Sequence, residues 1–531
     1  SMYGSLIAVD ESPLVEGLLY AGTDDGLIHV SEDGGQNWRR QESFKGVPDM
    51  SLVEDIIASH HDSNVAYAVF DNHKRGDHKP YVMKTVDRGV SWELIVDGLP
   101  VRGTAHTVIE DHVDPALLFT GTEFGLFFST DGGRNWHELT GLPTISVRDL
   151  EIQRREGDLV VTTFGRGFYI LDDYSPLRTP ESDLESGATL FPVRDTWLFN
   201  PDSRRGWGGK GDWGTGRYVA ENPPHGAVFS YYLAEELQSL KDRRRSEEKK
   251  RAEKGEDNPY PSWDELRRED REEAPSVTLT VRDARGNVVQ RIKGPAGKGF
   301  HRVAWNMRYP APDPVDLDPP ATRAPWEGEP KGPMVLPGTY SVTLSQRMEG
   351  QLSDFGNVRE FVLKPLYSGG LVAEDRASVL EFQAKTAELL RAVMGANRAA
   401  AEIETRIKHL LQAVEDTPGA TEQQAIAVRA LNARMQDLQQ QLGGDRTVSS
   451  RAEPVPMSLT ARVRVIAGGS WESQSAVTGN YRDSFEIAAS QFPEVLADLK
   501  AIAADLATLE AELEAEGAPW TPARVPDWSK Q

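Results

Sequence analysis

Through the first 175 or so positions, apolar residues come in runs of four or five, alternate with polar ones, and are bounded by Gly, Asp and Pro. Such runs are strand and hairpin signals. Ser5-Leu6-Ile7-Ala8-Val9, Leu18-Leu19-Tyr20-Ala21-Gly22 and Leu27-Ile28-His29-Val30 predict three strands, with Trp38 opening a fourth. A second unit repeats the pattern with Asp55-Ile56-Ile57-Ala58, Val65-Ala66-Tyr67-Ala68-Val69 and Tyr81-Val82-Met83-Lys84. A third uses His106-Thr107-Val108-Ile109, Leu117-Leu118-Phe119-Thr120 and Leu126-Phe127-Phe128, and a fourth runs from Val147 to Asp173. Between the third and fourth strands of the first three units one pattern recurs, S/T-x-D-x-G-x-x-W. Its copies are Ser31, Asp33, Gly35, Trp38; Thr85, Asp87, Gly89, Trp92; and Ser129, Asp131, Gly133, Trp136. In the fourth unit it has decayed to Leu171-Asp172-Asp173. The copies lie 54 and 44 residues apart, and a period of roughly 40–50 residues of strand-like sequence marks propeller blades or a related array.

The recurring residue types have a local reason. An Asp carboxylate accepts backbone N–H bonds inside a turn, and a Ser or Thr hydroxyl does the same. Gly supplies backbone angles that other residues resist, and the Trp ring covers apolar area between neighbouring sheets. The pattern is therefore structural, and its aspartates are not expected to be catalytic.

Downstream the pattern changes twice. Ala227–Leu233, Ser276–Val281, Val288–Ile292, His301–Trp305, Gly338–Leu344 and Arg359–Leu363 are short strands, with a hairpin turn at Asp283–Asn287. With one central Trp305 they predict an immunoglobulin-like β-sandwich. Glu235–Glu273 interrupts it with dense mixed charge at helical spacing, and Pro310–Pro333 is a proline-rich loop. From Glu374 the apolar period becomes helical: Val379, Phe382, Leu389, Leu390 and Val393 lead one helix, with Thr386 the polar member of its stripe. Thr421–Leu442 and Phe485–Glu516 predict two more, and Ser449–Tyr481 reads as a long connection. The expected fold is mainly β with an α-helical C-terminus. It divides into four blades over 1–180, a Gly/Trp-rich junction over 181–225, a sandwich over 226–366 with a charged helical insertion at 235–273, and an antiparallel helical bundle over 367–531. In the junction, Trp207, Trp213 and Tyr218 stand among glycines, suited to sealing a domain contact or to stacking on sugar rings.

Composition narrows the chemistry. A chain of 531 residues is too long for one core. Its net charge of −23 disfavours nucleic acid as a partner. It has no cysteine, which excludes disulfides and zinc–thiolate sites, and no apolar run is long enough to span a membrane. Ser1-Met2-Tyr3-Gly4-Ser5 leads straight into a strand without a secretory signal pattern. No cofactor is called for.

Candidate site residues follow from blade topology. Successive turns of an up-and-down sheet alternate between its two ends, so the repeated turn lies at one end and the turns between second and third strands at the other. That other rim gathers Asp24, Asp25, His73, Asp77, His78, Glu123, Arg148, Asp149 and Arg166. Two of its carboxylates could act as acid and base in glycoside hydrolysis, or they could simply cap turns and keep the rim soluble. Asp71, His73, Asp77 and His78 could hold a divalent ion. The preferred reading of that loop is a solvated one without metal.

The S/T-x-D-x-G-x-x-W turn resembles the Asp-box (BNR) repeat of sialidases, xyloglucanases and the sortilin/Vps10 propeller. Tyr20-Ala21-Gly22-Thr23-Asp24-Asp25-Gly26, Lys79-Pro80-Tyr81, Gly121-Thr122-Glu123-Phe124-Gly125, Phe164-Gly165-Arg166-Gly167-Phe168-Tyr169-Ile170-Leu171-Asp172-Asp173 and Asn222-Pro223-Pro224-His225-Gly226-Ala227 resemble large bacterial proteins often labelled glycosyl hydrolase or sortilin-like. Those proteins are about twice as long, so the resemblance implies a C-terminal half. Four blades do not easily close a ring. The resemblance thus implies completion by an N-terminal propeller half, as a separate chain or a removed segment, or by self-association. It also implies a secreted or periplasmic setting and a protein, peptide or glycan ligand. A sialidase needs an arginine cluster and a tyrosine nucleophile, of which only Arg148 and Arg166 can be matched. The function expected is that of an extracytoplasmic binding or scaffold protein. The alternatives are a glycoside hydrolase using rim carboxylates and a structural subunit of a larger assembly.

Overall fold

The computed structural model describes residues 4–185, 187–201, 220, 222–317, 329–366, 373–526 and 528–529. Trp207, Trp213 and Tyr218, and part of the proline-rich loop, lie outside the described residues. The chain divides into two compact units, Ser1–Thr189 and Leu190–Gln531.

The first unit is a propeller-like row of four antiparallel sheets, each in simple sequence order. Sheet one holds β1 (Leu6–Glu11), β2 (Leu19–Thr23), β3 (Ile28–Ser31) and β4 (Arg39–Gln41). Sheet two holds β5 (Leu52–Ala58), β6 (Ala66–Asp71), β7 (Tyr81–Thr85) and β8 (Glu93–Leu94). Sheet three holds β9 (Ala105–Glu110), β10 (Leu118–Thr122), β11 (Gly125–Ser129) and β12 (His137–Glu138). The fourth sheet has three strands among the described residues, β13 (Val147–Gln153), β14 (Asp158–Thr163) and β15 (Phe168–Leu171).

The repeated turn is built the same way each time. Ser129 Oγ donates to Asp131 Oδ1 (2.7 Å) and accepts from the Gly133 N–H (2.9 Å), while Asp131 Oδ1 accepts from the Asn135 N–H (2.9 Å). Ser31–Asp33–Gly35 and Thr85–Asp87–Gly89 make the equivalent bonds. Gly133 has φ +90°, a left-handed angle that a side chain would strain. Burial alone would raise the Asp131 carboxyl, but bonds from Asn135 and Ser129 bring it down to about 2.

Because both faces of a middle sheet are apolar, each sheet packs on the next. Tyr20, Ile28 and Val30 of sheet one meet Val53, Ile56, Ala68 and Phe70 of sheet two. Tyr67, Val69 and Val82 of sheet two meet Ala105, Val108 and Leu118 of sheet three. Phe119 and Leu126 meet Val147, Leu150, Leu159 and Val161. Trp136 is buried against sheet two and donates to Ile95 O (2.9 Å), and Trp92 packs beside Phe44. Trp38 departs from the expectation. It is exposed, and among the described residues no sheet precedes sheet one for its ring to cover.

At the start of the second unit and within it, β16 (Ala188–Leu190, which spans the boundary), β18 (Ala227–Leu233) and β21 (Gly299–Trp305) form one sheet, ordered β16-β18-β21. β17 (Thr196–Leu198), β19 (Ser276–Asp283), β20 (Val288–Gly294), β22 (Gly338–Met348) and β23 (Gln351–Pro365) form another, ordered β17-β23-β22-β19-β20. Aromatic pairs join the two: Phe229 with Phe361 (5.5 Å between centroids) and Trp305 with Tyr340 (5.5 Å). Between β18 and β19 stand two charged helices, Leu240–Glu253 and Trp263–Arg271, clipped together by Arg244 to Glu269.

Four longer helices, Arg376–Asp416, Glu422–Gly443, Leu459–Trp471 and Gly479–Ala515, share one apolar core that includes Leu390, Ile407, Met435, Val463 and Leu506. Thr386 in the first stripe is satisfied locally, donating to Phe382 O (2.9 Å). One expectation is corrected here. Ser449–Tyr481 is not a plain connection: it contains the helix Leu459–Trp471, capped by Ser458 and buried through Val463, Ile466 and Ala467.

Candidate functional site

The first strand of each sheet carries a β-bulge near its start. The register shifts between Leu6 and Ala8, between Val53 and Asp55, and between Val147 and Asp149. In the third sheet Thr122 pairs with Ala105 and Gly121 with Thr107, leaving His106 as the extra residue. Ile7, Glu54, His106 and Arg148 therefore occupy one structural position in successive sheets. A bulge re-aims its extra side chain, and here three of them converge.

His106 is buried at the centre of this group. Its Nδ1 lies 3.0 Å from both Glu54 carboxylate oxygens, and its Nε2 lies 2.9 Å from Glu123 Oε2. Arg148 stands 3.6 Å from Glu54 and 3.6 Å from Glu123. Glu123 reaches in from the β10–β11 turn, where Ser146 Oγ also donates to it (3.1 Å). Burial pulls the His106 pKa down, but Glu54 and Glu123 outweigh it and leave the ring above its ordinary value. Burial pushes Glu123 up, but His106, Ser146 and Arg148 hold it below the usual carboxylate range. The ring thus sits between two carboxylates that favour its protonated form, opposed by the Arg148 guanidinium 3.1 Å from Nδ1.

Beside this group opens a cleft of about 620 Å³, lined by His73, His78, Arg102, Thr104, His106, Glu123, Phe124 and Arg148. Phe124 is half-exposed at its edge, and the Arg148 guanidinium lies 5.6 Å from the exposed Phe164 ring. The cleft thus combines fixed cations, an ionised carboxylate and an aromatic face.

Four residues expected on the rim meet here: His73, His78, Glu123 and Arg148. The others have local work. Asp24 Oδ1 accepts the Gly4 and Ser5 N–H groups (2.7 and 2.9 Å), and Asp25 accepts from Thr23 Oγ1. Asp77 accepts from Tyr81 (2.6 Å) and Asn72. His73, one of the four in the cleft, is also held by Asp71 at the end of β6. Asp149 bonds the Leu150 N–H (2.9 Å), and Arg166 is exposed in the β14–β15 turn. Among the described residues no group of three or more His, Asp or Glu is placed to hold a metal ion.

Sequence reasoning missed Glu54, Asp55 and His106. Aligning the first strands would have exposed them, since Val53-Glu54-Asp55, Ala105-His106-Thr107 and Val147-Arg148-Asp149 are equivalent triplets. Asp55 lies one position past the bulge, where burial raises its pKa against the bond from the Val108 N–H (3.1 Å).

No protein-family model matches the chain, and no curated protein matches it. Several solved structures are similar in part. "YCF48 bound to D1 peptide" is 17% identical, with 36% of this chain and 59% of that one covered and a TM-score of 0.26. YCF48 from Cyanidioschyzon merolae is 18% identical over 34% of this chain and 54% of its own, with a TM-score of 0.24. The GH74 xyloglucanase from Xanthomonas campestris is 15% identical over 66% of this chain and 45% of its own, with a TM-score of 0.28. The matched part thus spans between about two fifths and three fifths of those proteins.

Proposed function

We propose that the cleft around His106 is a ligand-binding site, and that the chain is an extracytoplasmic binding or scaffold protein presenting it to a protein, peptide or glycan. One observation carries this reading: both ring nitrogens of His106 are occupied by carboxylates, and Glu123 is held ionised. A glycosidase acid needs a raised pKa and a free proton to give. Glu123 has the opposite bias. Fixed charges beside the Phe124 face suit recognition of a polar ligand with a stackable group. On this reading the repeated turn is an Asp-box, the sequence belongs with Vps10-like propellers, the second unit holds an Ig-like sandwich followed by a helical bundle, and the domain limits are those drawn from the sequence.

The second reading, a glycoside hydrolase using rim carboxylates, is favoured by the likeness of the turn to xyloglucanase repeats. Glycan and peptide arrays run beside reducing-sugar assays separate the two. Binding without sugar release, lost in Arg148→Ala and Phe124→Ala, is expected. Sugar release abolished by Glu123→Gln would overturn the binding reading.

A further inference from the structure

Two groups compete for Nδ1 of His106. Both Glu54 carboxylate oxygens lie 3.0 Å from it, and Arg148 Nη1 lies 3.1 Å from it. A guanidinium only donates, and an ionised carboxylate only accepts. The bond from Arg148 therefore needs a bare Nδ1, as in the neutral ring with its proton on Nε2. The bond to Glu54 needs a proton on Nδ1. Donation from Nε2 to Glu123 (2.9 Å) serves both forms. A neutral ring with its proton on Nδ1 would instead turn a lone pair on Glu123, which is held ionised.

The two forms hold Arg148 differently. Beside a neutral ring it donates to Nδ1 and stands 3.6 Å from both carboxylates, whose charge it offsets. A protonated ring bonds both carboxylates itself and repels the guanidinium, so the inward pull on Arg148 weakens. The outward side is open to it. Arg148 is 39% exposed, it lines the cleft, and the Phe164 ring lies 5.6 Å away as a face on which a guanidinium can rest. Other charged or titratable groups border the same space: Asp55 on β5, Asp149 on β13, and His73, His78 and Arg102 on the cleft wall. His73 and His78 also gain protons in acid, so a test has to single out the His106 ring.

Given that this cleft binds a ligand as proposed above, we infer that His106 is a proton-operated latch on Arg148. The neutral ring holds the guanidinium within the cluster. The protonated ring bonds Glu54 instead and frees Arg148 to donate to an oxygen acceptor of the ligand, a carbonyl or carboxylate. Ligand affinity then rises as pH falls through the titration of this ring, by roughly tenfold.

Phenylglyoxal, which modifies free guanidinium groups, tests the latch without a ligand. Peptide mass spectrometry of the full chain reads the modification rate of Arg148 against that of Arg166, which is exposed in the β14–β15 turn. The ratio cancels the reagent's own response to pH. It is expected to rise severalfold from about pH 9 to about pH 5, a range that spans ordinary imidazole titration. In His106→Gln the ratio stays flat. In Glu54→Gln, which removes the carboxylate facing Nδ1–H, the rise moves to lower pH. Circular dichroism checks that each variant is folded. A flat ratio in the wild type overturns the inference. So does a rise that persists in His106→Gln or keeps its midpoint in Glu54→Gln. A flat ratio beside positive ligand arrays removes the latch and spares the binding site, whereas a rising ratio beside empty arrays does the reverse.

Discussion

Replacing His106 by Gln removes the titratable ring at the centre of the cleft while keeping its approximate size. Removing one partner of a buried ion pair destabilises by about 3–5 kcal/mol. Here the effect is reduced: Arg148 sits 3.6 Å from both carboxylates and the Glu123 side chain is partly open to solvent. About 2–3 kcal/mol of local stability is the expected loss. Its pH dependence identifies the cause. The folded-state pKa of His106 is raised, so its contribution is complete below the ordinary value of 6.5 and fades as pH rises through the raised one. The Glu123 pKa is lowered, so its contribution is present above 4.5 and fades as pH falls through the lowered one. The wild-type advantage over His106→Gln should therefore be greatest between 4.5 and 6.5 and shrink at alkaline pH, where the wild-type ring is also neutral. Hydrogen exchange of β9 amides in graded urea, read by mass spectrometry and corrected for intrinsic rates, measures this gap. A gap unchanged from acid to alkaline pH would refute a role for protonation of the His106 ring.

Three further outcomes follow from the packing. A Cβ added at Gly22 would lie 2.3 Å from Val53 Cγ1, so Gly22→Ala should destabilise by about 1–3 kcal/mol, and Val53→Ala in the same chain should recover at least part of this. Strictly additive urea midpoints would argue against that contact. Asp131→Ala removes the bonds to Asn135 and Ser129 and should lower stability by about 1–2 kcal/mol. Since the Asp131 pKa lies at about 2, its contribution is kept above 3.8 and lost as pH falls through about 2, which thermal melts in acid would show. In the second unit Trp305→Ala opens a void beside Tyr340 and Phe361 and should cost about 3–5 kcal/mol, seen as loss of the near-ultraviolet dichroism signal and an earlier urea transition.

The sheets were legible because each strand's apolar run and each turn's Asp–Gly chemistry are local. Leu118–Thr122 and Gly125–Ser129 could be placed from a few residues of sequence. The helix Leu459–Trp471 was not, because Gly468 and Gly469 near its end and the prolines before it mask a stripe that only packing reveals. The rim was legible as topology, which brought Glu123, Arg148, His73 and His78 together from distant segments. Its centre was not. Buried histidine on an apolar strand reads as core, and only the bulge in register turns His106 towards Glu54. Asp24 misled for the reverse reason: an acid at the right end of a sheet was already committed to two backbone N–H groups.

The junctions between sheets are also keyed to their order. Gly22 receives Val53, Val69 stands in the cluster with Ala105, and Gly121 receives Val147, so a small residue meets a larger one in each case. The sheets are therefore not interchangeable modules. Excising the second would set Gly22 against Ala105 and leave a void, and excising the third would set Val69 against Val147 and force an overlap. A lineage that lengthens or shortens this array must change both sides of a joint together, which makes whole-repeat duplication harder here than the similarity of the turns suggests.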